Sequence, residues 1–193
     1  PDELKNVMNL TCMGNIPQIR SKARKKSKEQ VLSIFNKDLS QRFRENILSI
    51  ELKAEREMEE KNGKILLVTS TISGEGKSTL ALNMAYAAAA HGKRVLFIDG
   101  DLRKQIDRKK LTVKEGQGLF GVVKGKVSLE EAVETDPRSG IRFLCGNLPV
   151  RNVPGVLNHP IFKEILEQAR KENDLIILDA PPAEMFEDAS LMA

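Results

Sequence analysis

Apolar runs that end in polar residues predict three buried strands, at 64–69, 95–98 and 175–178. Runs of this length, rich in Ile, Leu and Val, are typical of strands covered on both faces. A further strand is predicted at 141–145. Segments whose apolar residues recur at helical spacing lie between the strands. This alternation favours an α/β fold, a mostly parallel sheet flanked by helices.

Helical periodicity predicts one long helix from about residue 29 to residue 61, and Asn62-Gly63 ends it. The apolar positions that recur at this spacing are Leu32, Phe35, Leu39, Phe43, Ile47 and Ile50.

Shorter elements are predicted around this frame. We expect a turn or edge strand at 13–17 and a loop region from Arg103 to about residue 120. Ser128 and Glu131 have the spacing of a capping box at the start of a short helix. A helix is predicted at 160–171, with proline in its first turn, and His159 before it is interpreted as a loop residue.

The first predicted strand runs into a glycine-rich turn followed by a helix that stops at His91-Gly92. Gly74 and Gly76 let the backbone adopt left-handed angles, and successive N–H groups at a helix start bind phosphate. Lys77 would reach the β- and γ-phosphates and Ser78 would ligate Mg²⁺. We expect the Lys77 side chain to be exposed. A chance Gly-Lys-Ser in an ordinary turn is the alternative, which the flanking strand and helix disfavour.

Carboxylates follow the other two apolar strands, Asp99 and Asp101 after one and Asp179 after the other. Aspartates also follow strands as turn formers or helix caps. Because the carboxyl ends of parallel strands share one sheet edge, we expect Asp99 and Lys77 to lie together at that edge. Two acid-bearing strands beside a phosphate loop indicate positioning of Mg²⁺ and of the attacking group.

Composition narrows the class of protein. The 193 residues suit one main domain, no apolar run approaches transmembrane length, and Cys12 and Cys145 are isolated.

Six cations from Arg20 to Lys28 form a run without acids, and removing them from the net charge of +4 leaves −2. General nucleic-acid binding is therefore disfavoured. The run is interpreted as a mobile linker or as a segment attracted to anionic lipid.

These motifs resemble the bacterial tyrosine kinases of capsule and exopolysaccharide synthesis, a MinD-like branch of the P-loop proteins. The segment 73–79 is similar to their Walker A variant, 99–103 to their Asp-x-Asp-x-Arg motif, and 179–182 to their Walker B. Gly118-Leu119 and 146–149 match two further landmarks, and 13–17 resembles an element that follows a membrane chain-length domain in one polypeptide.

The resemblance implies an ATP- and Mg²⁺-dependent protein-tyrosine autokinase that regulates polysaccharide polymerisation and export. Lys77, Asp99 and Asp101 would be catalytic, and Ser78, Asp99 and Asp179 would bind the metal. The implied nucleotide-binding residues are Ser73, Gly74, Glu75, Gly76, Lys77, Ser78, Thr79 and Arg103.

The resemblance also implies partners and a location. They are an upstream membrane chain-length domain, a homo-oligomer, a cognate tyrosine phosphatase and the cytoplasmic face of the bacterial membrane. Residues 1–28 would be a juxtamembrane segment and basic linker, and residues 29–193 a kinase domain whose C-terminal part is missing. One arginine of the family's oligomerisation helix is replaced by Gln41, and the position of a regulatory tyrosine is Ile106.

Two other functions stay open. The same residues could form a MinD- or ParA-like ATPase switch with water replacing the phenol, or a nucleotide-sensing module without kinase activity. Tyr86, the only tyrosine in the chain, is interpreted as a packing residue, so we expect the acceptor tyrosines on a C-terminal tail beyond Ala193.

Overall fold

The structure, a computed structural model, describes residues 11–18, 40–100, 118–146 and 159–183. The predicted roles of Asp101 and Arg103, the basic run and the first third of the predicted 29–61 helix lie outside these residues. Within the described part of the chain, no helix is long and apolar enough to cross a membrane.

A five-stranded sheet forms the centre of the fold. The strands are β1 Ile65–Val68, β2 Val95–Asp99, β3 Val133–Thr135, β4 Arg142–Leu144 and β5 Leu175–Asp179. Their spatial order is β1-β5-β2-β4-β3; β1, β5, β2 and β4 are parallel, and β3 pairs antiparallel with β4. The predicted mostly parallel α/β fold is confirmed, although the sequence pattern did not predict β3.

Five helices are described around this sheet. They are α1 Gln41–Glu60, α2 Lys77–Ala90, α3 Gly118–Val123, α4 Leu129–Ala132 and α5 Pro160–Glu172.

Alternation along the strands divides the core between two faces of the sheet. On β2, Val95 and Phe97 join a cluster with α1 and α2, whereas Leu96 and Ile98 join a cluster with α3, α4 and α5. Since successive strand side chains point to opposite faces, one buried strand serves two hydrophobic layers. Each fully buried Leu or Ile contributes about 1.5–3 kcal/mol, and the result is a sheet with helices on both faces.

The predicted 29–61 helix does not run unbroken through residue 40. Ser40 has an extended backbone, with ψ of 145°, and its hydroxyl accepts a hydrogen bond from the Phe43 N–H. This is the geometry of an N-cap, so α1 begins at Gln41. Phe43, Ile47 and Ile50 are buried as predicted, and Asn62 follows the helix with φ of +50°.

Residues 11–18 form neither a turn nor a strand, which corrects that prediction. The segment lies along α1 because two side chains bind its carbonyls: Asn46 Nδ2 donates to Asn15 O at 2.8 Å, and Lys53 Nζ to Met13 O at 2.7 Å. A Cβ on Gly14 would lie 2.7 Å from Ile50 Cγ1, so the close approach requires glycine.

One further prediction is corrected and two are confirmed, since His159 precedes α5 with an extended backbone. Residues 118–120 begin helix α3 rather than ending a loop, and the Leu119 N–H donates to the Cys145 carbonyl at 2.8 Å. His159 is the N-cap of α5, where its Nδ1 accepts a hydrogen bond from the Ile161 N–H. The capping box of Ser128 and Glu131 is present in both directions.

Candidate functional site

The candidate site lies where β1, β5 and β2 end. Asp99 and Asp179 are register partners on adjacent strands, and Asp179 also pairs with Val68 at the end of β1. The loop from β1 to α2 begins at this same edge. The parallel arrangement therefore brings the phosphate-loop residues and two carboxylates together, as the sequence predicted.

The loop that enters α2 has the conformation of an anion-binding turn. Gly74 and Gly76 both have φ of +93°, and Gly76 is the N-cap of α2 without a side-chain hydrogen bond. A Cβ on either glycine would meet nothing within 4 Å, so glycine is required for its backbone angles rather than for space. The first N–H groups of α2 lack intrahelical carbonyl partners, and a phosphate suits them.

The prediction that the Lys77 side chain is exposed is wrong. Only 9% of its side chain is accessible, and Nζ lies 3.4 Å from Asp179 Oδ1 and 3.2 Å from Ser78 Oγ. The reason is electrostatic, since the carboxylate of Asp179 is completely buried and attracts the ammonium group. Lys77 thus lies inside the loop, close to the carboxylate and hydroxyl with which it is predicted to act.

Asp99 and Asp179 are 1% and 0% exposed as whole residues. Burying charge is costly unless cations or strong donors surround it. Together with the Ser78 hydroxyl they form a set of hard oxygen donors of the kind that Mg²⁺ prefers. Among the described residues no three His, Cys, Asp or Glu side chains cluster. These residues therefore fit a metal held by few protein ligands and by phosphate oxygens.

Main-chain and side-chain bonds join the segments after β1 and β5 beyond the ends of these strands. The Ala180 N–H donates to Val68 O at 2.9 Å, Thr69 Oγ1 to Pro181 O at 2.7 Å, and the Ala183 N–H to Ser70 O at 2.8 Å. The loop base is thereby tied to the strand that carries Asp179. Sequence reasoning overlooked Thr69, whose only signal is a hydroxyl directly after an apolar strand.

The remaining predicted nucleotide-binding residues are arranged differently from one another. Ser73 is exposed in the loop, and Thr79 lies in the first turn of α2, where its carbonyl accepts from Asn83 Nδ2 at 2.7 Å. The Glu75 carboxylate turns back toward the start of the loop and accepts from the N–H groups of Thr71 and Ile72.

Tyr86 lies along α2, away from the loop. It is half-buried and packs against the apolar clusters that contain Met84 and Phe43. Burial raises the pKa of its phenol, and Asp136 raises it further.

A cavity of about 270 Å³ lies at the opposite end of the strands, between α1 and the sheet. Glu51, Lys64, Met84 and Lys93 are among its lining residues. The cavity therefore does not belong to the candidate site.

A family model described as an AAA domain matches residues 63–193. The tyrosine-protein kinase YwqD of Bacillus subtilis is 34% identical over 129 residues, 67% of this chain and 54% of the relative. A putative tyrosine-protein kinase of the cps region of Klebsiella pneumoniae is 30% identical over 135 residues, 70% of this chain and 19% of the relative. The chain thus spans between about a fifth and a half of these curated relatives.

Solved structures share the fold. The BceF tyrosine kinase domain superposes with a TM-score of 0.85 at 25% identity, over 100% of this chain and 81% of that one. A cobyrinic acid a,c-diamide synthase of Mycobacterium smegmatis, solved with an ATP analogue and magnesium, gives a TM-score of 0.52 at 23% identity, over 67% of this chain and 53% of that one.

Proposed function

Because the chain belongs to the AAA domain family and is similar to bacterial tyrosine kinases, we propose that it is the nucleotide-binding domain of a protein-tyrosine autokinase. The polymer whose synthesis it regulates would be a capsular polysaccharide or exopolysaccharide. One observation carries the proposal: Lys77 contacts a buried carboxylate at the end of β5 while Asp99 ends the neighbouring strand.

The loop and Lys77 bind the triphosphate of ATP in this proposal. N–H groups around Gly74, Gly76 and the start of α2 donate hydrogen bonds to the phosphate oxygens. Lys77 exchanges its 3.4 Å contact with Asp179 for the β- and γ-phosphates. The ammonium group keeps an anionic partner throughout this exchange and is never left alone in the protein interior.

Ser78 and Asp179 are the proposed ligands of Mg²⁺, with Asp99 beside them. When bound, Mg²⁺ would supply positive charge that neutralises the β- and γ-phosphate oxygens. The ammonium group of Lys77 donates to Ser78 Oγ at 3.2 Å, so the hydroxyl lies beside the pair of Lys77 and Asp179. In this proposal the Asp179 carboxylate would help to hold the metal once Lys77 has moved to the phosphates.

Asp99 is the proposed general base. It orients the phenol of an acceptor tyrosine and takes its proton as the phenolic oxygen bonds to the γ-phosphorus. The bond from that phosphorus to the β–γ bridging oxygen breaks, and ADP leaves. Asp101 is proposed to assist at the metal and Arg103 to bind nucleotide. The side chains supply positioning and electrostatic stabilisation, which dominate such transfers.

An ATPase switch is the second candidate function, and the position of Tyr86 is the observation that favours it. This tyrosine is half-buried and packs against the cluster of Phe43 and Ile47, so the proposal takes the acceptor tyrosine from outside these 193 residues. Without such an acceptor, Asp99 would orient water and the same site would hydrolyse ATP.

The wider proposal concerns what surrounds the domain. Residues 29–193 would be the catalytic domain and residues 1–28 a juxtamembrane linker whose basic run adjoins the anionic cytoplasmic face of the membrane. A membrane chain-length domain, further copies of the chain and a tyrosine phosphatase would be its partners. Residues 11–18, which belong to the proposed linker, lie along α1 of the domain.

The test supplies γ-labelled ATP and Mg²⁺ to the full-length protein and follows the label. Label on tyrosine supports the kinase, and label released only as inorganic phosphate supports the ATPase. Asp99→Asn should abolish tyrosine labelling while ADP still binds. Full labelling by this variant would overturn the assignment of the base.

A further inference from the structure

Glu75 lies at the centre of the phosphate loop, but its carboxylate faces away from α2. Its Oε2 accepts from the Thr71 N–H at 2.8 Å and from the Ile72 N–H at 3.1 Å. These two bonds, here named the Glu75 clamp, close the loop between its first and fifth residues. Bonds to a carboxylate are about twice as strong as bonds between neutral groups.

The clamp supplies hydrogen bonds that the loop cannot obtain from regular secondary structure. The Ile72 N–H is satisfied by Glu75, and its carbonyl accepts from Ser70 Oγ at 2.9 Å. Both polar backbone groups of Ile72 therefore bind side chains of neighbouring loop residues. Two side chains hold the backbone where neither a strand nor a helix does.

The loop needs such support because Gly74 and Gly76 flank Glu75. Glycine loses more conformational freedom on ordering than any other residue, and each ordered residue costs about 1–2 kcal/mol. A loop that is ordered before the ligand arrives does not incur this cost during binding, which raises affinity.

We infer that Glu75 is a positioning residue, which holds the loop in its phosphate-binding conformation through the N–H groups of Thr71 and Ile72. The inference rests on the proposed function, because the ligand whose affinity it sets is a nucleoside polyphosphate. Glu75 itself does not contact that ligand through its side chain.

A different role would give the opposite result. Two successive N–H groups that converge on one oxygen form a small anion site. If a phosphate oxygen used this site, the Glu75 carboxylate would compete with the nucleotide. The geometry favours the clamp, since both N–H groups precede Gly74 and belong to the β1 side of the loop rather than to the start of α2.

The experiment compares Glu75→Ala, Glu75→Gln and Glu75→Asp in the full-length protein. The Kd of ADP with Mg²⁺ should rise roughly tenfold in Glu75→Ala, which loses both bonds. Glu75→Gln keeps an oxygen at the same reach and should stay within about threefold, since it loses charge but not the acceptor. Glu75→Asp is one methylene too short and should resemble Glu75→Ala. Glu164→Ala, on the exposed face of α5, controls for the loss of a negative charge.

A second measurement needs no nucleotide. Amide hydrogen exchange at Thr71 and Ile72 should accelerate in Glu75→Ala and Glu75→Asp and stay near wild type in Glu75→Gln and Glu164→Ala. If the wild-type protein binds no nucleotide, the proposed function fails, whereas this exchange pattern still shows whether the clamp exists.

Three results would overturn the inference. Unchanged exchange in Glu75→Ala would mean that no clamp exists. Faster exchange with an unchanged Kd would make the contact merely structural. Tighter ADP binding by Glu75→Ala and Glu75→Gln would identify the carboxylate as a competitor of phosphate.

Discussion

The two ends of the sheet use acidic residues in different ways. At the end opposite the phosphate loop, Arg94 holds Asp174 through Nη2 at 2.7 Å, Nε at 3.1 Å and its own N–H at 2.9 Å. At the loop end, Lys77 lies 3.4 Å from a completely buried Asp179. The first pair has complementary geometry and is exposed, whereas the second is longer, buried and next to a second carboxylate, Asp99.

This difference separates a structural ion pair from one suited to exchange. The planar Arg94 guanidinium matches the Asp174 carboxylate at two atoms, so neither partner has a better position available. Lysine is a point charge on a flexible stem. The contact between Lys77 and Asp179 is long, at 3.4 Å, and a flexible side chain can carry the ammonium group from it to an incoming phosphate.

Replacing Lys77 is the strongest test of the contrast. Lys77→Met should lower tyrosine phosphorylation by the full-length protein at least about a hundredfold, because a charge that stabilises the transferred phosphoryl group is lost. It should also lower stability, since Asp179 then loses a buried partner. Phosphorylation is measured by label incorporation, and stability is measured by denaturant unfolding.

Lys163→Met provides the matched control, because Lys163 is exposed on α5 and should change neither quantity. Lys77→Met with wild-type phosphorylation would contradict the assignment. Unchanged stability in that variant would instead mean that the Asp179 contact is as dispensable as a surface pair.

The sequence predicted the loop end well and the opposite end poorly, for a physical reason. Apolar strands that end in Asp99 and Asp179, and glycines before Lys77, are local signals, and parallel topology alone brings them together. The partners of Asp174 and Glu51 come from distant parts of the chain, and helical periodicity would count Glu51 simply as an exposed acid.

Other differences between the prediction and the structure also arise where local sequence signals do not decide the outcome. The Ser40 cap is a local signal within a periodic run that favoured a longer helix. The burial of Lys77 depends on Asp179, which is 102 residues later in the chain. No local signal therefore predicts it, and the sequence favours an exposed side chain. The three-residue β3 lacks a pattern of its own and forms by pairing with β4.

Glu51 provides the next test, because it is a buried acid at the structural end. It is 3% exposed and lies 3.3 Å from His91 Nδ1. Burial raises the pKa of Glu51, Glu55 raises it further, and His91 and Lys93 oppose this. A raised pKa means that the folded state holds the proton more tightly. The stabilising contribution is therefore present below the usual value of 4.5 and lost as pH rises through the folded-state pKa.

Glu51→Gln removes this titration and keeps the shape of the side chain. Its free energy of unfolding, measured in urea from pH 4 to pH 8, should rise relative to that of wild type as pH increases. A constant difference across this range would contradict the raised pKa, and nucleotide affinity should not change at any pH.

Asp174 should show the opposite pH dependence at the same end of the sheet. Hydrogen bonds from the Arg94 side chain and N–H hold its pKa well below the usual value of 3.8. Its stabilising contribution is therefore present above that value and lost as pH falls below it. Asp174→Asn should be less stable than wild type at pH 7, by a small amount because the pair is exposed. In urea unfolding the gap between the two stabilities should narrow steadily as pH falls below 3.8 toward the folded-state pKa; a gap that does not narrow would exclude the ion pair as its cause.

The smallest effect is expected at Tyr86, which lies on α2 between the two ends. It is nine positions after Lys77, a rise of about 13 Å along the helix axis. Its ring packs against the cluster of Phe43, Ile47 and Ala87, and burial, followed by Asp136, already raises the pKa of the phenol. A phosphate there would bring more negative charge to a crowded, partly buried position. Tyr86→Phe keeps the packing, so the full-length protein should incorporate as much phosphate as wild type. Phosphopeptide mapping checks this directly: if the peptide containing Tyr86 carries most of the label, the acceptor does not come from outside the domain, and α2 must open far enough to bring its middle to the loop.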